Sequence, residues 1–280
     1  MRPYLAAAIQ MTSIPDLTSN LQQAEEWIDF STRQGCELIT LPENFAFMGP
    51  EEEKAHLAGE IAARTEEFLQ KMAQRFQVTI LGGGYPVPDQ QGRVFNTASL
   101  VAPNGIEVAR YQKIHLFDVN LPDGNTYRES NSVSAGHEVH TCEVEGLGKF
   151  GLSVCYDIRF PELYRQLIQE GAEILLIPAA FTAYTGRHHW QILVQSRAIE
   201  NTCYVIAPAQ VGNHYARRQC HGHAMIVDPW GVVLADAGGE KPGAAIAEIN
   251  PDRLHQVRQQ MPSLRHRCLL CSYQPSLQPA

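Results

Sequence analysis

Apolar and polar positions fall along the chain in two kinds of block. The run "LAAAIQM" (5–11) is apolar except for Gln10 and reads as a buried strand. "SNLQQAEEWIDFSTRQG" (19–35) follows with apolar residues at helical spacing, which predicts an amphipathic helix capped by Ser19 and stopped at Gly35. "ELITLPE" (37–43) predicts a second strand, 60–76 a second helix, and "VTILGGGYP" (78–86) a strand that runs into glycines. Residues 93–112 give two strands turning at "PNG" (103–105). Further strands are predicted at 150–155, 173–177 and 203–208, with helices near 160–170 and 187–200 between them. A second hairpin, "AMIVDPWGVVLADA", turns at Asp228 to Gly231, and a last strand (243–249) leads to a helix at 251–261.

Strands alternating with helices, together with two hairpins, predict an α/β fold whose mixed sheets are covered by helices on one face. No solenoid repeat or low-complexity linker interrupts the pattern. The expectation is one domain over residues 1–267 and a tail at 268–280.

Composition narrows the function classes. With 280 residues, 44% of them hydrophobic, the chain can bury a large core. Its net charge of −8 and the absence of any Lys/Arg run argue against a nucleic-acid partner. No apolar run approaches the roughly 20 residues needed to span a bilayer, and the first apolar segment is too short for a secretory signal. The expected setting is therefore cytoplasmic, with no membrane partner. There the seven cysteines (36, 142, 155, 203, 220, 268 and 271) should be reduced. Most should serve as small buried hydrophobes.

One cysteine has different surroundings. "GLSVCYDIRFPE" (151–162) is an apolar run that ends on Cys155 and then turns polar, with Pro161 and Glu162 placed as a first helical turn. A structural thiol would have apolar neighbours on both sides. A nucleophile is wanted where a rigid strand stops and a pocket opens. Two other strands end in chemistry: Glu43 closes "ELITLPE" and Lys113 closes "GIEVARYQK". Ligands in α/β folds gather beyond the carboxyl ends of strands, so the three residues are candidates for one site. A thiol with a pKa of about 8.5 needs a base or a nearby cation to attack. Glu43 can take its proton. Lys113 can stabilise an oxyanion, aided by the backbone N–H of Tyr156. Glu129, in the loop "DGNTYRESNS" (123–132), is a second carboxylate able to hold Lys113.

At these residues the chain resembles the nitrilase, or carbon–nitrogen hydrolase, superfamily. "LPENF" (41–45), "YQKIHLFDV" (111–119), "RESNS" (128–132) and "GLSVCYDIRFPE" match its motifs in order, and "RAIEN" (197–201) and "DPWG" (228–231) agree. The likeness spans about residues 4 to 267. It implies a four-layer α-β-β-α sandwich, a homodimer and no cofactor. It also implies a Cys155–Glu43–Lys113 site with Glu129 as second glutamate and the Tyr156 N–H in the oxyanion hole. Within the superfamily, "KIHLFDVNLPDG" and "PAAFTAYTGRHHW" look like the branch of amidases acting on deaminated glutathione, beside the ω-amidases. The substrate this implies is an α-keto-acid amide, split through a thioester to 2-oxoglutarate and cysteinylglycine. The alternatives are an ω-amidase acting on 2-oxoglutaramate, another hydrolase of the superfamily, or a non-catalytic binding protein, which the filled motif positions oppose. Arg159 is a cation suited to the keto-acid head, and Phe181 and Thr185, read as loop residues after the strand 173–177, match positions that hold that end.

Other motifs read as structural. "CHGH" (220–223) has no fourth metal ligand at standard spacing. "CLLC" (268–271) stands alone in the tail, and "LGGGYP" lacks the Lys-Ser/Thr continuation of a phosphate loop. Its glycines suit close backbone packing near the pocket. His188 and His189 open a helix whose inner face carries Trp190.

Overall fold

The structure, a computed structural model, describes residues 1–122, 124–216 and 218–269. Its first half builds one sheet from β1 (Tyr4–Met11), β2 (Cys36–Thr40), β3 (Thr79–Pro88), β4 (Val94–Val101) and β5 (Glu107–Gln112). The helices α1 (Leu17–Arg33), α2 (Glu51–His56) and α3 (Ala58–Phe76) connect the first three strands. A small hairpin of β6 (Asp118–Asn120) and β7 (Thr126–Arg128) follows, then the short β8 (Val133–Ser134). The second sheet begins with β9 (Thr141–Val144), β10 (Gly148–Leu152), β11 (Ile174–Leu176) and β12 (Tyr204–Ala207). Between these strands lie α4 (Pro161–Gln169) and α5 (Ala183–Asn201). β13 (Ala209–Asn213) and β14 (Gln219–His221) return to the first sheet, and β15 (Met225–Val227) and β16 (Val233–Asp236) complete the second. β17 (Gly243–Ile249) runs antiparallel to β1 and leads into α6 (Pro251–Gln260).

Side-chain alternation explains the layers. On β1, Ala6 and Ala8 share a core with Phe150, Leu152 and Leu175 of the second sheet, whereas Ala7, Ile9 and Met11 pack with Leu21 and Ile28 of α1 and Leu69 of α3. Small alanines on the inner face let the sheets approach. On the far side of the second sheet, Leu163 and Leu167 of α4 and Trp190 and Val194 of α5 are buried. Both sheets are mixed, and the result is an α-β-β-α sandwich.

Several boundaries differ from the sequence expectation, each for a local reason. Asp16, not Ser19, caps α1: its Oδ1 accepts from the Ser19 N–H at 2.7 Å, and an anion suits a helix N-terminus. Gly35, with φ +86°, does end that helix. α5 starts at Ala183 because Thr182 accepts from the Thr185 N–H at 3.3 Å, so Thr185 belongs to a helical turn and not to a loop. The expected strand 203–208 is β12, which ends before Pro208; beyond it the chain enters β13, which the apolar pattern does not announce and which joins the other sheet. The loop 123–132 contains β7. Cys271 of "CLLC" lies outside the described residues.

Candidate active site

Three strands stop short of the residues they deliver. β2 ends at Thr40, and Glu43 lies in the turn beyond it; β5 ends at Gln112, immediately before Lys113; β10 ends at Leu152, ahead of Cys155. Glu129 opens the one-turn helix Glu129–Asn131 after β7. The four residues line one cavity of about 210 Å³.

Glu43 is fixed from several sides. Its Oε1 accepts from Lys113 Nζ at 3.1 Å and Asn96 Nδ2 at 2.9 Å, and its Oε2 accepts from the Ala180 N–H at 2.9 Å. The glycines of "LGGGYP" make room for it. A Cβ on Gly83 would strike the Leu41 carbonyl and Pro178, and one on Gly84 would strike Asn96. Close backbone packing beside the pocket is therefore what these glycines supply.

Lys113 is buried and doubly paired, with Nζ 2.8 Å from Glu129 Oε2 and 3.1 Å from Glu43 Oε1. Burial works to lower its ammonium, but Glu129 and then Glu43 outweigh that, so it is held well above the usual lysine range. Burial likewise works to raise Glu129. Lys113, together with the Phe117 N–H at 2.7 Å, overcomes this and keeps its carboxyl below the usual range.

Cys155 sits at φ +49° in the left-handed region, a conformation costing a non-glycine residue about 1–2 kcal/mol. Its N–H donates to the Pro178 carbonyl at 2.9 Å, and the chain turns at once through the short helix Cys155–Arg159 into α4. The geometry lifts the thiol out of the strand line into the cavity. Burial pushes the thiol well up; Glu43 adds to this, and Lys113 and the Ala180 N–H oppose it. At neutral pH the thiol therefore keeps its proton, with an acceptor in place. Tyr156, whose peptide N–H follows Cys155, also lines the cavity.

The remaining sequence candidates divide. Phe181 and Thr185 line the cavity. Arg159 does not; its guanidinium stands behind, 5.1 Å from the Phe181 ring centroid and 5.8 Å from that of Tyr156, with Nη1 3.3 Å from His189 Nδ1.

Three residues escaped sequence reasoning. Asn96 bridges both carboxylates, 2.9 Å from Glu43 and 3.3 Å from Glu129, and no motif announced it. Asp157 is fully buried and accepts from the Tyr111 hydroxyl at 2.7 Å, the His115 N–H at 3.0 Å and the Val154 N–H at 2.8 Å. It thus ties the turn that carries Cys155 to the segment that carries Lys113. Its signal lay in the shared "YQKIH" and "CYD" wording. Arg218 lines the cavity from the segment before β14, where an Arg pair in an acidic chain was the available hint.

Of "CHGH", Cys220 is buried beneath the cavity with Met48 and Ala180, and His223 pairs with Asp236 at 2.9 Å. Among the described residues, no cluster of three or more His, Cys, Asp or Glu is arranged to hold a metal. No helix among them is long and apolar enough to cross a membrane.

An acceptor, a charge-clamped ammonium and a buried thiol can together open an amide by nucleophilic attack. Comparison with known proteins agrees with that chemistry. The sequence model of the carbon–nitrogen hydrolases matches residues 5–259. The chain belongs to this family. It is similar to the deaminated glutathione amidase of Synechocystis sp. strain PCC 6803, with 68% identity over 270 residues, 95% of this chain and 99% of that protein. The crystal structure of the C. elegans NitFhit protein superposes with a TM-score of 0.90 at 37% identity, covering 96% of this chain and 66% of that one. An amidase from Nesterenkonia sp. AN1 superposes with a TM-score of 0.78 at 25% identity, covering 92% of this chain and 98% of that one. That structure, a glutamate-to-glutamine variant, carries acrylamide added to its active-site cysteine. The hydrolase described here acts on the amide C–N bond of a small molecule.

Proposed function

We propose that this hydrolase cleaves deaminated glutathione to 2-oxoglutarate and cysteinylglycine through a thioester on Cys155. The observation that carries the reading is the Lys113 ammonium clamped between Glu43 and Glu129 in the cavity that Cys155 lines. The name of the relative that is 68% identical supports the substrate.

In the first step Cys155 Sγ attacks the γ-amide carbon while its proton passes to Glu43. Negative charge collects on the carbonyl oxygen, where Lys113 Nζ and the Tyr156 N–H receive it. The C–N bond then breaks, Glu43 returns the proton to the departing nitrogen, and cysteinylglycine leaves. Water enters, gives a proton to Glu43 and adds to the thioester. The C–S bond breaks, the sulfur regains its proton, and 2-oxoglutarate leaves. Glu129 keeps Lys113 charged and aimed. Phe181 and Thr185 contact the keto-acid end, and Arg159 adds positive potential from behind Phe181.

The test is release of 2-oxoglutarate from deaminated glutathione and from 2-oxoglutaramate, with Cys155→Ala as control. A preference for the first, abolished in the variant, is expected. No product from the first with a folded wild type would overturn the substrate assignment.

The same reading includes a homodimer. Ile192 and Ile199 of α5 are 66% and 53% exposed, and Trp230 and Val232 beside them are also exposed. Gly231 abuts Ile199, making one apolar face that pairing would cover. Light scattering should give twice the chain mass, and Ile199→Glu should halve it; a monomeric wild type would sink this part. The thiols that are unpaired among the described residues, including exposed Cys268, suit the reducing cytoplasm. Recovery in a membrane or exported fraction would contradict that placement.

A further inference from the structure

The cavity holds a cation that the reaction above leaves unused. Lys113 is neutralised by two glutamates, and Lys54 by Glu51 at 2.8 Å. Arg128, exposed at the mouth, donates to the Val119 and Tyr127 carbonyls and to Asn120. Arg218 differs. Partly buried, it donates from Nη2 to the Ala180 carbonyl at 2.8 Å and lies 4.9 Å from the Tyr127 ring centroid, and among the described residues no carboxylate pairs with it. A guanidinium carries five N–H donors in a planar fork matched to a carboxylate.

Its position says which part of a substrate it would meet. The group that returns a proton to the departing nitrogen must stand on the leaving-group side of the thiol. That group is Glu43, whose Oε2 accepts from the Ala180 N–H at 2.9 Å. The carbonyl of the same residue holds Arg218. One amino acid therefore links the proton donor to this cation and puts both on one wall. Arg159, the other arginine near the thiol, is set apart from this pair: its guanidinium packs on the Phe181 and Tyr156 rings and does not line the cavity.

We propose that Arg218 binds the terminal carboxylate of the leaving amine, making the site selective for amides of amino-acid or dipeptide amines over amides that release ammonia. This rests on the amidase reading above and extends it. The carboxylate of a cysteinylglycine leaving group lies about six bonds from the scissile nitrogen, so its partner is a residue of the cavity lining other than the catalytic groups, and Arg218 is one.

The experiment measures kcat and KM for wild type, Arg218→Met and Arg218→Lys on three substrates: deaminated glutathione, the same molecule with its terminal carboxylate capped as a carboxamide, and 2-oxoglutaramate. Capping should raise the wild-type KM about 10- to 100-fold, the range for losing a hydrogen bond between charged groups. Arg218→Met should raise KM for the uncapped substrate by a similar factor, with little further effect on the capped one and with kcat largely retained. Arg218→Lys should recover part of the loss. The preference for deaminated glutathione over 2-oxoglutaramate should collapse in Arg218→Met. Equal losses on capped and uncapped substrates, or an undiminished preference for the free carboxylate, would overturn the assignment while wild-type turnover leaves the amidase reading standing. A wild type that hydrolyses none of the three would overturn both.

Discussion

Glu43→Gln separates the two effects of one carboxylate. The substitution keeps the shape of the side chain but removes a charge 3.1 Å from Lys113 and the acceptor for the thiol proton. Hydrolysis should fall by the contribution of a general base, about 10²- to 10⁴-fold, or roughly 3–5 kcal/mol in the barrier. The thiol should respond in the opposite direction. Of the influences acting on Cys155, burial remains, both upward effects of Glu43 vanish, and Lys113 still stabilises the thiolate. Its pKa should therefore drop, and alkylation by iodoacetamide at pH 7 should speed up while turnover collapses. The assay pairs 2-oxoglutarate release with mass-spectrometric counting of carbamidomethyl Cys155. Alkylation slowing in step with turnover would refute the reasoning, because Glu43 would then be generating thiolate in the resting enzyme. Retention of more than about a tenth of the wild-type kcat/KM would remove Glu43 as the base.

Two further perturbations test the surroundings. Asn96→Ala takes one donor from both glutamates and should lower kcat about 10- to 100-fold with the fold intact by circular dichroism; a change below threefold would mean Lys113 and the Ala180 and Phe117 N–H groups suffice to order them. His214, hydrogen-bonded through Nδ1 to the Ser13 carbonyl at 2.8 Å, is lowered by burial to about 4. Above the unfolded value of about 6.5 neither state binds its proton; as pH falls from there toward 4 the unfolded chain takes one and the folded chain resists, so stability is lost. Urea unfolding from pH 7 to pH 4 should show that loss, of the order of 2–3 kcal/mol from this group, and His214→Asn should flatten it. Parallel wild-type and variant curves would exclude His214 as its source.

The layered fold was legible because its signals are local. Apolar runs marked β1 to β5, β10 to β12 and β15 to β17 but not β6 to β9, β13 or β14, and "PNG" and "DPWG" marked the β4–β5 and β15–β16 turns. Boundaries were less so, because they depend on which of several polar side chains captures a free N–H: Asp16 outcompeted Ser19, and Thr182 started α5 four residues early. The positions of Glu43, Lys113 and Cys155 were readable since each follows the end of a strand. Asn96 was not, lying inside β4 and acting across the sheet on Glu43, 53 positions away in sequence. Arg218 was hidden for a related reason: its meaning comes from what surrounds it, a carbonyl and a ring but, among the described residues, no carboxylate.

The lysine flanked by two glutamates has a consequence for the whole proposed cycle. At rest the trio carries one surplus negative charge in a site nearly closed to water. When the thiol proton moves to Glu43 and electrons reach the substrate oxygen, that surplus is neither enlarged nor cancelled. It crosses from one side of the same ammonium to the other. Creating a new ion in a poorly polarisable interior would be costly, and here no step requires it. The reaction displaces a charge that folding has already accommodated, and the protein surrounding Lys113 need not reorganise as the bond breaks.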